Sequence, residues 1–322
     1  MRVLLTLILV SLAALSSAGA LAQTWPNKPI KLLVGFPPGG STDVAARILA
    51  AKLSQSLGET VIVDNRAGAS GNLAAEAVAR AEPDGYTLMM VATSFAAAPA
   101  FFDKLSWDPT KDFTPVSLVA TVPILAVTTP GLGVKSVADL VAYAKAHPGK
   151  LNMASPGPTT LTRLSGELFK QTANIDWVTV HYKGGAPAMN DMLAGTTQVM
   201  FANISDVLAQ VRAGKLDAIA VATPKRSALA PEIPTFAESG YPDFVFQTWQ
   251  AVVGPAGLPP AVVAKLNTAI RDAMAQPDTR RQFQNLGTDV ATGTPAELGA
   301  LLASEVDKIK RVAKSVGATN TN

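Results

Sequence analysis

"VGFPPGGSTDVAARIL" (residues 34–49) decides the architecture. An apolar run stops at two prolines and two glycines, and Ser41, Thr42 and Asp43 then open a segment with Val44, Ile48 and Ala51 at helical spacing. This predicts a strand over 30–35 that turns into a helix over 42–54. In an open α/β sheet, ligands settle beyond the carboxyl ends of the strands. A helix N-terminus placed there presents unpaired N–H groups and a partial positive charge. Gly39, Gly40, Ser41 and Thr42 are therefore a candidate anion cradle. A phosphate loop would require a lysine that is missing, and "GFPPGG" does not match a dinucleotide fingerprint. The prolines remove N–H donors but stiffen the loop, which suits a carboxylate better than a diphosphate. Taken alone, the stretch fits an ordinary tight turn equally well.

The same grammar repeats along the chain. Short strands are expected at 61–63, 84–94, 122–128, 151–155, 178–182, 198–201, 217–222 and 248–253. Between them lie helical patterns near 73–80, 137–146, 161–169, 186–194 and 207–213. A short helix capped by Thr235 and Glu238 is expected to end at Gly240, and three helices close the chain at about 260–276, 278–286 and 295–315. Alternating strands and helices mean an α/β protein with largely parallel sheets. "ASPGPTTLTRLSGELF" (154–169) repeats the opening logic: strand, Pro/Gly loop, hydroxyls, helix. Ser155, Thr159 and Thr160 offer hydroxyls. Arg163 offers either a fork for a carboxylate or an ordinary surface charge. Two such loops about 120 residues apart suggest two lobes facing each other across a cleft.

Composition narrows the function. The 322 residues are 48% hydrophobic and 16% charged, with a formal charge of +3. That makes a folded, core-forming chain with no basic tract for nucleic acid. Lys308, Lys310, Arg311 and Lys314 fall at the spacing of a solvated helix face. There is no cysteine, and His147 and His181 are the two histidines, so thiolate or histidine-cluster metal sites are not expected. At the N-terminus Arg2, an apolar stretch over 4–15 and Ala20-Leu21-Ala22 read as a secretory signal peptide over 1–22. Without a cysteine there is no lipid anchor, and a free mature chain starting at Gln23 is expected.

Five stretches carry a family resemblance: "WPNKPIKLLVGFPPGGSTDVAAR" (25–47), "VDNRAGASGNLAAEAVARAEPDGYTL" (63–88), "VHYKGGAPAMNDMLAG" (180–195), "VRAGKLDAIAVATPKRSALAPEIPTFAESGYPDF" (211–244) and "GPAGLPP" (254–260). With them the chain resembles the Bug-type extracytoplasmic solute receptors of the tripartite tricarboxylate transporter group. The resemblance implies a type II periplasmic-binding-protein fold, two Rossmann-like α/β lobes joined by two crossing strands near 122–127 and 246–253. Residues 23–124 with 247–322 would form the first lobe and 125–246 the second. It implies that Phe36, Pro37, Pro38, Gly39, Gly40, Ser41, Thr42 and Asp43 grip one ligand carboxylate, partly through ordered water. Ala69, Ser70, Thr93 and Ser94 would flank the pocket, and Ser155, Pro158, Thr159 and Thr160 would answer from the second lobe. Two positions depart from the family pattern: Arg163 stands where a histidine is usual, and His181 where a proline is usual.

Two carboxylates need weighing. Asp43 either accepts N–H bonds at the helix start or meets an ammonium or hydroxyl of the ligand. Asp206, after "FANIS", either contacts ligand or caps a helix starting at Val207. Ser41, Asp43 and His181 could be drawn as a triad, but no nucleophile elbow exists, and an enzyme is not expected. The expected function is a periplasmic receptor, monomeric and without cofactor, that captures a small organic carboxylate and delivers it to the membrane subunits of a tripartite tricarboxylate transporter. A sensory receptor of the same fold, presenting its ligand to a signalling partner, is the alternative. Intact-mass measurement on exported protein is expected to find a chain beginning at Gln23; retention of residues 1–22, or a lipid adduct, contradicts the leader reading.

Overall fold

The computed structural model describes residues 25–102, 104–157, 160–182 and 185–317. The leader, Pro158 and Thr159 lie outside the described residues. The chain first lays down β1 (Ile30–Val34), α1 (Ser41–Leu57), β2 (Val61–Asn65), α2 (Asn72–Ala79), β3 (Thr87–Ala92) and α3 (Thr93–Phe101). The long β4 (Phe113–Thr128) leads into α4 (Val137–Ala146), β5 (Asn152–Ser155), α5 (Leu161–Thr172), β6 (Val178–His181), α6 (Gly185–Leu193), β7 (Val199–Asn203), α7 (Ile204–Arg212) and β8 (Asp217–Val221). Then β9 (Gln247–Pro255) returns, followed by α8 (Pro260–Ala275), α9 (Pro277–Asn285), β10 (Asp289–Val290) and α10 (Pro295–Ser315).

The strands run in the order β2-β1-β3-β9-β4-β7-β5-β6, with β8 and β10 also on β4. From Phe113 to Pro123, β4 pairs with β9, and from Ile124 to Thr128 it pairs with β7 and β8. One strand thus belongs to two half-sheets and carries the chain from the first to the second. Pro123 stands at the change of partner, where the missing N–H of a proline costs least. The strand begins nine residues before the expected Val122; Pro115 and the register shifts around it had broken the pattern that would have revealed this. The β1–β2, β1–β3, β5–β6 and β5–β7 pairs are parallel, as expected. Every pair made by β4 or β9 is antiparallel, because a strand that crosses between half-sheets meets its neighbours head to tail.

Helix ends follow local chemistry. Ser136 accepts from Asp139 N–H at the start of α4, and Thr294 with Glu297 closes a capping box on α10. Thr235 and Glu238 form the same reciprocal bonds, yet Gly240 follows too soon and the segment stays a turn rather than the expected helix. Helix α7 starts at Ile204, three residues before the expected Val207, so Asp206 sits inside its first turn instead of capping it.

Packing fixes the two half-sheets. Ala45, Ala46, Leu49 and Leu53 of α1 bury against Ile30, Leu32 and Val34 together with Leu266 and Ile270 of α8. Leu298, Leu302 and Ile309 of α10 join a larger core that reaches the second half, where the Phe236 ring meets Phe169 edge to face at 5.0 Å and lies tilted 4.6 Å from Phe244. Each buried Leu, Ile, Val or Phe among them contributes about 1.5–3 kcal/mol, the alanines less. Gly287, after α9, has φ +69°, and a Cβ there would lie 2.6 Å from Ser205 Cα at the start of α7. The turn before β10 therefore rests backbone to backbone on the start of α7, a helix of the second half.

The loop between β1 and α1 is braced from behind. Asp43 is buried, and its carboxylate accepts from Gly39 N–H at 2.8 Å, Arg47 Nε at 3.0 Å and Asn65 Nδ2 at 2.8 Å. Asn65 Nδ2 also reaches Phe36 O, tying the loop to the end of β2. Burial pushes the Asp43 carboxyl up, but the bonds from Arg47, Gly39 and Asn65 outweigh it and hold its pKa below the usual carboxylate value. Gly39 adopts φ +85°, a left-handed value that glycine takes without strain.

Asp43→Asn turns one acceptor into a donor facing donors and is expected to cost about 1–3 kcal/mol. Because the folded pKa is depressed, this stabilisation is present above the ordinary value of 3.8 and is lost as pH falls through the lower folded value. Denaturant melts of wild type and Asp43→Asn should therefore differ at pH 7 and converge under acid; equal stability at pH 7 would remove Asp43 as the brace. Gly287→Ala is expected to lose about 1 kcal/mol or more to the positive φ, plus about 1–3 kcal/mol to overpacking against Ser205. Thermal denaturation reads the loss, and an unchanged midpoint would show that the two halves do not need this contact.

Candidate functional site

The carboxyl ends of strands from both half-sheets converge on one cleft of about 730 Å³. The first half supplies Phe36, Pro37, Pro38, Gly40, Ser41 and Thr42 from the β1–α1 loop, Ser70 from the β2–α2 loop, and Ala92, Thr93 and Ser94 where β3 becomes α3. The second supplies Pro156, Thr160, Leu161 and Thr162 at the start of α5, Gly185, Ala186 and Pro187 at the start of α6, and Met200, Ala202, Asn203 and Asp206 around the β7–α7 junction. Val122 of β4 and Thr248, Trp249 and Gln250 of β9 line it where the chain crosses.

Of the residues expected from sequence, Phe36, Pro38, Gly40, Ser41, Thr42, Ser70, Thr93, Ser94, Thr160 and Asp206 meet at the cleft wall. Others stand behind it. Gly39 gives its N–H to Asp43, and Asp43 is enclosed by the three donors already described. Ser155 is fully buried; its hydroxyl donates to Gly157 O at 2.9 Å, so it shapes the second loop. Ala69 and Ser70 both take left-handed backbone angles, φ +46° and +58°, at a cost of about 1–2 kcal/mol each. The turn directs Ser70 to the cleft and leaves Ala69 off its wall. Gly40, by contrast, has φ −74°, and a Cβ there would meet Pro37 O at 3.6 Å, so no backbone strain reserves that position for glycine. Pro158 and Thr159 lie outside the described residues.

Arg163 is also off the wall. Its backbone N–H donates to Thr160 Oγ1, the cap of α5, at 3.3 Å. Burial lowers the pKa of its guanidinium, and the Glu167 carboxylate pulls it back up. The His181 ring feels the same pair: burial and then the Arg163 charge lower its pKa, against a raising effect from Glu167. Glu167 in turn accepts from Thr179 Oγ1 and lies 3.3 Å from Lys170 Nζ. The two positions that depart from the family pattern thus form one electrostatic group between α5 and β6.

The electrostatics of the wall come from helix ends. Helices α1, α3, α5, α6 and α7 all begin at residues of the cleft. The caps of α1, α3 and α7 (Gly40, Ala92 and Asn203) accept no side-chain bond from their first turns. Their leading amides are left to solvent or ligand, and the helix dipoles add positive potential. Among the described residues, Asp206 is the charged side chain of the wall. Asp206 is exposed to the cleft, and desolvation by the surrounding walls raises its pKa, against lowering bonds from Ser205 and Asn203. At the floor, Trp249 N–H donates to Thr93 Oγ1 at 2.8 Å and Thr248 Oγ1 donates to Asn203 Oδ1 at 3.0 Å. Both bonds tie β9 to the walls.

Sequence reasoning missed Gly185–Pro187 and the three β9 residues. "KGGAP" (183–187) carries the strand, glycine and helix-start signature of the other two loops and could have been read the same way. The β9 contribution follows once 246–253 is taken as a crossing strand, since a strand passing between two walls must line what lies between them.

The model of the tripartite tricarboxylate transporter family receptor matches residues 45–318. Protein BugT of Bordetella pertussis is 37% identical over 299 residues, 92% of each chain. The solved R. palustris Rpa4515 with adipate superimposes with a TM-score of 0.83 at 34% identity, covering 92% of this chain and all of that one. The periplasmic binding protein BugD superimposes with a TM-score of 0.79 at 32% identity over 92% of this chain and all of its own. The two half-sheets with crossing strands are the type II periplasmic-binding fold of these neighbours. With most of its length matched by the family model and by relatives above 30% identity, the chain belongs to the tripartite tricarboxylate transporter receptor family.

Proposed function

We propose that the protein is a periplasmic solute-binding receptor for a small organic carboxylate, captured between two lobes and passed to the membrane subunits of a tripartite tricarboxylate transporter. The observation that carries the reading is the convergence of five helix N-termini on one cleft, three of them without side-chain caps. Such a wall offers a carboxylate neutral N–H and hydroxyl donors in a field of positive potential. That the R. palustris neighbour was solved with adipate supports the same ligand class. Residues 23–124 with 247–322 and residues 125–246 are the two lobes of this proposal. They hinge where β4 changes partner at Pro123/Ile124 and where β9 starts at Gln247. The leader-like N-terminus and the periplasmic BugD neighbour support export as a cleaved chain.

Thermal shift over a panel of mono-, di- and tricarboxylates tests the reading. A true ligand at 100 times its dissociation constant is expected to stabilise by about 2.7 kcal/mol. Ser41→Ala should weaken that ligand by about 1–3 kcal/mol in calorimetric titration. Gly40→Val should fold, its φ being permissive, and lose binding by filling the cleft at the α1 start. A panel without any stabiliser, or both variants binding as wild type does, contradicts the reading.

A further inference from the structure

We infer that Asp206 selects the ligand: the carboxylate bound by this receptor carries a hydrogen-bond donor, an ammonium or a hydroxyl, that meets the Asp206 side chain, in preference to a second carboxylate. The inference rests on the proposed receptor role and adds the chemistry of the ligand's other end. Asp206 occupies the cleft wall made by β7 and α7, whereas the uncapped start of α1 belongs to the wall made by β1. The two walls ask for different partners. The α1 start presents amides and the Ser41 hydroxyl, which suit an anion. The α7 wall presents a carboxylate whose protein donors are neutral: Ser205 Oγ at 3.3 Å and the Asn203 side chain. A carboxylate open to the cleft and supplied by neutral donors has oxygen acceptors to offer a ligand N–H or O–H. A second ligand carboxylate at the same place would meet like charge, and one of the two would have to take up a proton.

The position is held firmly. Asn203 is fixed by the Thr248 hydroxyl of β9, which donates to its Oδ1 at 3.0 Å. From behind, Gly287 lies close against the backbone of Ser205, which supports the first turn of α7. Asp206 is thus presented by the crossing strand on one side and the β10 turn on the other.

Two matched series of acids supply the test: succinate, 4-hydroxybutyrate and 4-aminobutyrate, then adipate, 6-hydroxyhexanoate and 6-aminohexanoate. Each is titrated calorimetrically into wild type and Asp206→Asn at pH 7.5, with melting curves to show that the variant folds. Wild type is expected to bind a hydroxy or amino acid at least about tenfold more tightly than the dicarboxylate of the same length. Asp206→Asn is expected to lose that preference and to gain affinity for the dicarboxylate. Preference of wild type for the dicarboxylates, or an unaltered ranking in Asp206→Asn, overturns this inference and leaves the carboxylate reading standing. Binding of none of the six acids, with no stabiliser in the wider panel, overturns both.

Discussion

The antiparallel pairing of β4 with β9 is the constraint on which the molecule depends. It is made over nearly the whole length of β9 and continues, on β4, into the pairs with β7 and β8. Because one strand is shared, the two half-sheets cannot be placed independently. Their parallel strands are turned so that the carboxyl ends of β1, β3, β5, β6 and β7 look into the same space, and the helices that follow begin there. Smaller contacts then set the angle: Trp249 N–H on Thr93, Thr248 on Asn203, and Gly287 against Ser205. All of them join elements of one half to elements of the other, or to the strand between them.

The chemistry of the cleft follows from what that geometry brings together. A helix end attracts an anion with partial charges and well-aimed amides, which costs less desolvation than a buried lysine or arginine and leaves specificity to shape. The loop before α1 is built for this. Its prolines restrict the backbone, Gly39 supplies a left-handed turn, and Asp43 locks the turn from behind while Gly40, Ser41 and Thr42 line the cleft. The acid that a simple charge argument would count against anion binding is therefore part of what holds the anion site in shape. The second wall works by another rule, since Asp206 brings a full negative charge to it and makes the two ends of a ligand unequal.

Much of the fold was legible because it is written in local periodicity. The strand–loop–helix units at 30–57, 151–172 and 178–193 show in apolar runs, Pro/Gly breaks and helical spacing, and the caps at Ser136 and Thr294 form as their residue types predict. Signals that depend on surroundings were misread. The Thr235–Glu238 box closed without a helix because two half-turns of chain and a glycine leave nothing to propagate. The early start of α7 was missed although Asn203, a favoured N-cap residue type, stands directly before Ile204, whose side chain is buried with residues of β7. Among the expected site residues, those that the cleft wall contains sit mainly on loops with a sequence signature, such as Phe36, Pro38, Gly40 to Thr42 and Thr160.

By itself, then, the sequence determined the α/β alternation, the location of the anion-favouring loops and the family to which the chain belongs, because each depends on residues close together in the chain. The tertiary structure alone decided which of those residues line the cleft. It turned Asp43, Ser155 and Arg163 to the back of the wall, put Asp206 at its front, and added Trp249, Gln250 and the start of α6. The reason is geometric: whether a polar side chain braces a loop or meets a ligand depends on which donors stand beside it. Those donors, Asn65 beside Asp43 and Thr248 behind Asn203, arrive from strands 22 and 45 residues away.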